Sequence, residues 1–320
     1  MTILSMVMTI MLAFPSCSNS DGASKSSVAD NTAVKNVEFV ADSAMAFLKA
    51  QCDLGPRVPG TSAHAACAKL ITSRLTACCD TVQIHAVPVT TFDGEKLTAN
   101  NIMGRINPGA STRILLLAHW DCRPWADKDS DPALQRQPVM GANDAASGAA
   151  ILLELARIMG CNKPEIGVDL LFVDAEDWGD YDNEDSWALG TQAWARDYHS
   201  LLGMDYAPIF GILLDMVGAH GARFAPEYFS TQNAASVVKL VWDTAREAGY
   251  GAYFVSTAGG AVTDDHVVVN NAGIPCIDII DMRGEGFFDG WHTTHDTLDA
   301  IDAATLKAVG QTLSRLIYNF

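Results

Sequence analysis

Four short apolar runs mark the middle and end of the chain: RILLLA (113–118), VDLLFV (168–173), IFGILL (209–214) and IPCIDII (274–280). Each is too short for a helix and lacks the polar alternation of a half-exposed strand, so each reads as a strand buried on both faces. Helical apolar spacing recurs between and after them, over 145–159, 191–202, 234–248 and 300–318. Upstream, 37–51 and 62–79 have helical spacing on either side of the break Gly55-Pro56-Arg57-Val58-Pro59-Gly60. Residues 81–89 and 97–106 read as strands joined by a turn at Asp93-Gly94. This alternation predicts an α/β fold, with a central, largely parallel sheet covered by helices on both faces. Neither a repeat nor a linker interrupts 36–320, which reads as a single domain.

The N-terminus breaks this pattern. Residues 2–14 are nearly all apolar and lead through Pro15-Ser16-Cys17 into the polar stretch SNSDGASKSS. The expectation is a secretory signal over 1–17 with a lipobox-like Cys17, then a flexible linker over 18–35. The protein would then be exported, either periplasmic or lipid-anchored to the cell envelope. The n-region has no Lys or Arg, and Phe14-Pro15-Ser16 departs from the usual Leu-small-small pattern. A lipid anchor is the only membrane attachment expected, because no other segment approaches ~20 apolar residues.

Composition narrows the function. With 49% hydrophobic residues the chain can bury a full core, which excludes a disordered or disulfide-dominated protein. Thirty-eight acids against 21 bases leave a net charge of −17, a field that repels phosphate backbones, so nucleic acid is not an expected partner. Seven cysteines lie beyond Cys17, but none forms a CxxC pair, so a thiolate zinc site is not expected.

In open α/β sheets, ligands bind beyond the carboxyl ends of the strands. His119-Trp120-Asp121 follows the first buried run, Asp174-Ala175-Glu176-Asp177-Trp178 the second and Asp215 the third. Asp281 follows the fourth, with Trp291-His292 past a Gly-rich loop. Asp144, in Gly141-Ala142-Asn143-Asp144, precedes a predicted helix. Taken singly, Asp144 is a plausible helix N-cap, Asp215 a turn residue and His292 a surface histidine. Their convergence on one sheet edge argues for more. Clustered carboxylates repel one another unless a cation sits among them, and carboxylate plus imidazole donors without thiolate suit catalytic zinc. The adjacent Glu176 and Asp177 would divide the work, one binding metal and the other moving a proton.

These motifs, with Leu213-Leu214-Asp215-Met216-Val217-Gly218 and Trp291-His292-Thr293, resemble in their order the zinc aminopeptidase-like exopeptidases. The similarity is closer to the glutaminyl-peptide cyclotransferase branch. Trp291 directly precedes the histidine, Thr263-Asp264-Asp265-His266 resembles a paired-Asp motif, and Phe287 falls at an aromatic pocket position. The resemblance implies a phosphorylase/hydrolase-like fold and one zinc held by Asp144, Asp177 and His292, with a second not excluded. It implies that Glu176 shuttles protons within an acidic network with Asp215 and Asp264, the last chosen over Asp265 by motif register. Trp291 and Phe287 would line the pocket with Trp178 or Trp187. His119 and Asp121 would either serve a second metal or support the first, and Asp215 also matches a second-metal position of two-metal aminopeptidases. Asp177 departs from the animal cyclases, which have Glu there. The implied activity is cyclisation of N-terminal Gln on peptides or proteins to pyroglutamate. The alternatives are a zinc aminopeptidase and a catalytically inert binding domain.

Overall fold

The computed structural model describes residues 35–284 and 286–320; the expected signal, Cys17 and nearly all of the linker lie outside them. The described residues form one compact unit. Its sheet contains β1 (Thr81–Thr90), β2 (Lys96–Ile106), β3 (Arg113–His119), β4 (Gly167–Val173), β5 (Gly211–Asp215) and β6 (Cys276–Ile280), in the spatial order β1-β2-β4-β3-β5-β6. Strands β4, β3, β5 and β6 are mutually parallel, while β1 and β2 form an antiparallel hairpin whose β2 also runs antiparallel to β4. Every residue of the four parallel strands is buried, which is why they read as unbroken apolar runs. The chain passes from β3 to β4 on one side, then returns to place β5 on the other side of β3. That reversal opens a crevice at the carboxyl ends of β3 and β5.

The helices are α1 (Ala41–Cys52), α2 (Ser62–Cys78), α3 (Ala146–Cys161), α4 (Leu189–Leu202), α5 (Tyr228–Glu247), α6 (Asp265–Asn271) and α7 (Ala303–Tyr318). Side chains alternate across each strand. Ile114, Leu116, Ile212 and Leu214 join a core with residues of α1, α2, α3, α5 and α7. Leu115, Leu117, Leu171 and Leu213 face the other way, onto Trp194 and Tyr198 of α4 and Val269 of α6. Gly148 lets α3 lie directly on the sheet: a Cβ there would sit 2.3 Å from the Leu214 carbonyl oxygen. This close approach brings the loop before α3 to the end of β5.

Several boundaries differ from the sequence reading for tertiary reasons. The first helix starts at Ala41 rather than 37, because α7 holds the preceding segment extended: Gln311 accepts from Phe39 N at 2.9 Å, and Ser314 donates to Val37 O at 2.7 Å. The strands expected from 209 and 274 begin two residues later, at Gly211 and Cys276. The helix expected from 234 begins at Tyr228 and kinks at Ala234. Helix α6 was not predicted; it grows out of the Asp264-Asp265-His266 motif, with Asp264 as its N-cap.

Glu227 explains the early start of α5. Wholly buried, it accepts from Phe229 N and Ser230 N at the helix start, from Val262 N, and pairs with His266 Nε2 at 3.0 Å. Burial pushes its carboxyl up, but the His266 imidazole and the backbone N–H groups outweigh that and bring it down to about 2. Glu227→Ala should therefore lower stability by about 2 kcal/mol or more, through the lost cap and the orphaned donors. The folded value lies below the unfolded one of about 4.3, so this contribution is complete above that pH and fades as the pH falls toward 2. Urea unfolding should show the gap between wild type and variant narrowing from pH 7 to pH 3.

Candidate active site

His119 closes β3, Asp174 directly follows β4, and Asp215 closes β5. The loops beyond these strand ends, with those leading into α3 and following β6, bring Asp144, Glu176, Asp177 and His292 to the same crevice. Two groups of donors form there and share Asp144: His119, Asp144 and Asp215 in one, and Asp144, Asp177 and His292 in the other, each with its donor atoms within 4.8 Å of one another. Asp144 offers one oxygen to each group, Oδ1 at 3.0 Å from His119 Nε2 and Oδ2 at 3.5 Å from His292 Nε2. His292 Nε2 is also 3.2 Å from Asp177 Oδ1, and His119 Nε2 is 3.2 Å from Asp215 Oδ1. Asp144 does not cap α3, which has no side-chain cap, so the simple N-cap role is excluded.

The donor set fits zinc. Asp177 Oδ2 is buried without a hydrogen-bond partner among the described residues, and every member of both groups is buried. Carboxylate oxygens and imidazole nitrogens at this density are donors for a divalent cation. Burial works against charge on Asp144, but hydrogen bonds from His119 and His292 outweigh it and hold its carboxyl below the usual range. Burial likewise disfavours imidazolium, yet the surrounding carboxylates raise both histidines, His119 well above its ordinary value.

Backbone geometry fixes these loops. His119 and Asp121, paired in the sequence reading, have different surroundings. His119 joins a donor group, whereas Asp121 accepts from the backbone N–H groups of Glu176 and Asp177 at 3.1 and 3.2 Å and joins neither group. Asp296 does the same for the opposite loop, accepting from Asn143 N and Asp144 N at 2.7 and 3.1 Å. Ala175, Met216 and His292 adopt positive φ of 53°, 49° and 54°, a conformation costly for residues with a Cβ. All three flank or belong to the cluster.

A cavity of about 300 Å³ opens on the donors. Trp187, Trp291, Phe287 and Tyr181 supply its aromatic wall, and Glu176, Asp215 and Asp264 its acidic floor. Trp291 stacks on His292 at 4.0 Å between ring centroids, with Phe287 4.6 Å from Trp291. Trp178 is a correction to the sequence reading: it is not part of the cavity lining, and its indole packs edge-on against Trp125 at 5.7 Å. Of the paired acids, Asp264 lines the cavity and Asp265 does not. Burial pushes the carboxyls of Glu176 and Asp264 well above their ordinary values, and neighbouring acids add to the shift.

Several contributors escaped the sequence reading. Arg123 is fully buried beside Asp177, and Tyr181 meets His292. Asp278 joins Asp264 and His266 in a third group of close donors, of which only Asp264 lines the cavity. An acid inside the apolar run IPCIDII was a legible signal for Asp278. Asp281, by contrast, pairs with Arg283 at 2.7 Å. No disulfide forms among the described residues, where all seven cysteines are free.

A largely parallel α/β sheet carrying Asp and His donors at its carboxyl edge, beside a small cavity, fits a zinc-exopeptidase class of protein. Residues 101–317 match peptidase family M28, and the chain belongs to that family. It is similar to the crystal structure of a glutaminyl cyclase from Bacteroides thetaiotaomicron bound to N-acetylhistamine, with 44% identity and a TM-score of 0.86 over 88% of this chain and 99% of that one. It is also similar to a Zn-dependent exopeptidase from Parabacteroides distasonis, with 47% identity and a TM-score of 0.86 over 90% and 100% of the two chains. A curated glutaminyl-peptide cyclotransferase from Bos taurus is 25% identical over 69% of this chain and 66% of its own length. The chain thus spans about two thirds of that relative.

The two kinds of acid at the site predict different responses. Asp144→Asn should lower the zinc content of dialysed protein, since both donor groups use that carboxylate. Asp121→Asn should lower the zinc content less and reduce turnover, because it loosens the loop carrying both Glu176 and Asp177. Elemental analysis alongside activity measurement checks both.

Proposed function

We propose that the chain is a glutaminyl-peptide cyclotransferase that converts N-terminal Gln of peptides or proteins to pyroglutamate with release of ammonia. The observation that carries this reading is the cavity: about 300 Å³, walled by Trp187, Trp291, Phe287 and Tyr181, directly over the donor cluster. It has room for a glutamine side chain beside the donors. The similarity to solved glutaminyl cyclases supports the same reading.

In this proposal Asp144, Asp177 and His292 hold one zinc, which supplies Lewis acidity toward the substrate γ-carbonyl. The aromatic wall folds the glutamine side chain so that its α-amine meets the carbonyl carbon (Cδ) of its own side-chain amide, an intramolecular attack that gains from orientation. Glu176 accepts a proton from that amine and returns it to the departing nitrogen, so that a lactam forms and ammonia leaves. Burial and the neighbouring acids raise its carboxyl, which favours its taking up a proton. Asp215 and Asp264 line the same cavity and, in this reading, share the acidic network with it. His119, 3.8 Å from Glu176 through Nδ1, links this network to Asp144.

The second reading is a zinc aminopeptidase, favoured by one feature: the group His119, Asp144 and Asp215 has the donors for a second metal. Peptide assays separate the two. A Gln-initiated peptide should lose the mass of ammonia, while a Leu-initiated peptide should survive intact. Cleavage of the Leu peptide without cyclisation of the Gln peptide would overturn the proposal.

The adjacent acids should also separate by role. Glu176→Gln should keep zinc near wild type while turnover falls by ~10²-fold or more. Asp177→Asn should weaken zinc, because an amide is a neutral and poorer ligand, and added zinc should restore part of its activity. Metal analysis and kinetics on both variants would reveal reversed roles directly.

A further inference from the structure

His292 is held from behind in an unusual way. If Nε2 faces the cation, it must present its lone pair, and the ring proton then resides on Nδ1. That N–H lies within a residue only 2% exposed, where an unmet donor is costly. Its partner is the Tyr181 hydroxyl, 2.5 Å away. The phenol oxygen accepts from Nδ1, which leaves its own hydrogen to donate to Asp127 Oδ1 at 3.4 Å. Asp127 cannot receive Nδ1–H directly, because Oδ1 stands 4.0 Å from it. The hydroxyl bridges that gap.

Asp127 is fixed in turn. Arg123 grips it with two parallel bonds of 2.8 Å, from Nε to Oδ1 and from the guanidinium NH2 group to Oδ2. The other arm of the same guanidinium reaches Asp177, 3.4 Å from both its carbonyl oxygen and Oδ1. One connected path therefore runs from His292 through Tyr181, Asp127 and Arg123 to Asp177, joining two proposed ligands from behind. The Tyr181 ring is 42% exposed yet clamped. Lys128 Nζ lies 3.9 Å from its centroid, the Arg123 guanidinium 5.0 Å, and Trp187 packs at 5.4 Å.

We propose that Tyr181 is a positioning residue for the metal centre: its hydroxyl orients His292 and couples it, through Asp127 and Arg123, to Asp177. This rests on the zinc reading above and deepens it. In metal sites, the partner of a ligating imidazole is commonly a carboxylate or a carbonyl, and its loss weakens metal binding about 10–100-fold. Here a phenol at the cavity wall takes that place.

Zinc affinity, measured by competition with a chromophoric chelator and without substrate, tests the assignment. Tyr181→Phe keeps the ring and its packing while removing the hydroxyl. Its zinc dissociation constant should rise about 10-fold, with the melting temperature of the metal-free protein unchanged. Asp127→Asn should weaken zinc in the same direction. The double variant should be no weaker than the worse single one, because both interrupt one path. Unaltered zinc affinity in Tyr181→Phe, or independent multiplying losses in the double variant, would overturn the proposal. His292→Ala separates the two readings: loss of zinc there, with Tyr181→Phe unaffected, sinks only the positioning role. A wild-type chain that binds no zinc sinks both.

Discussion

Asp144 presents one carboxylate oxygen to each of two buried imidazoles, and the organisation of the site follows from that sharing. Asp177 and Asp215 crowd the same crevice with it, all nearly excluded from water. Such an arrangement is electrostatically untenable in an apolar interior without positive charge in its midst. That charge is the natural role of the zinc that family M28 and its Zn-dependent relatives imply, since an imidazole that offers a cation its lone pair is itself neutral.

Holding these groups together requires the backbone to be fixed where it would otherwise be loose. Two carboxylates do this from opposite sides, Asp121 gripping the Glu176–Asp177 loop and Asp296 the Asn143–Asp144 loop. Arg57, buried in the break between the first two helices, donates to the carbonyls of Met140 at 2.5 Å and Gly141 at 2.6 Å and steadies the same loop from below. Gly148 lets α3 settle onto β5, so the Asp144 loop reaches the strand that carries Asp215. The strained φ values at Ala175, Met216 and His292 are tolerated because these contacts over-determine the loops around them. Acids far from any substrate thus set the geometry of those near it.

The aromatic wall and the charged floor of the cavity are mechanically one assembly. The Arg123 guanidinium lies 4.9–5.2 Å from the ring centres of Trp125, Tyr181 and Trp187, while its hydrogen bonds reach Asp127 and Asp177. Trp291 and Trp187 both stack on His292. Movement of the wall would therefore disturb the donors. A substrate closing the cavity meets a surface already braced against the metal site, which is the preorganisation that electrostatic catalysis needs.

The sequence by itself determined the sheet and where its chemistry gathers. Strands buried on both faces must be apolar throughout, so β3 to β6 stood out, and polar residues just past their ends could only lie at one edge. It also marked His119, Asp144, Glu176, Asp177, Asp215 and His292, because acids and histidines beside such runs are conspicuous. It could not separate Asp121 from His119, since a donor group and a backbone anchor look alike two residues apart. Nor could it tell Trp187 from Trp178, nine residues away in one loop, because only the fold of that loop decides which indole turns inward. Apart from the Arg123–Asp127 pair, four residues apart, Arg123, Tyr181, Asp127 and Asp296 act through partners 54 to 153 residues distant, as in the pairs Arg123–Asp177 and Asn143–Asp296. Local pattern holds no trace of such pairings. Tertiary structure decided them, because hydrogen bonds between distant residues depend on where the chain returns, whereas periodicity reports only which face of one element avoids water.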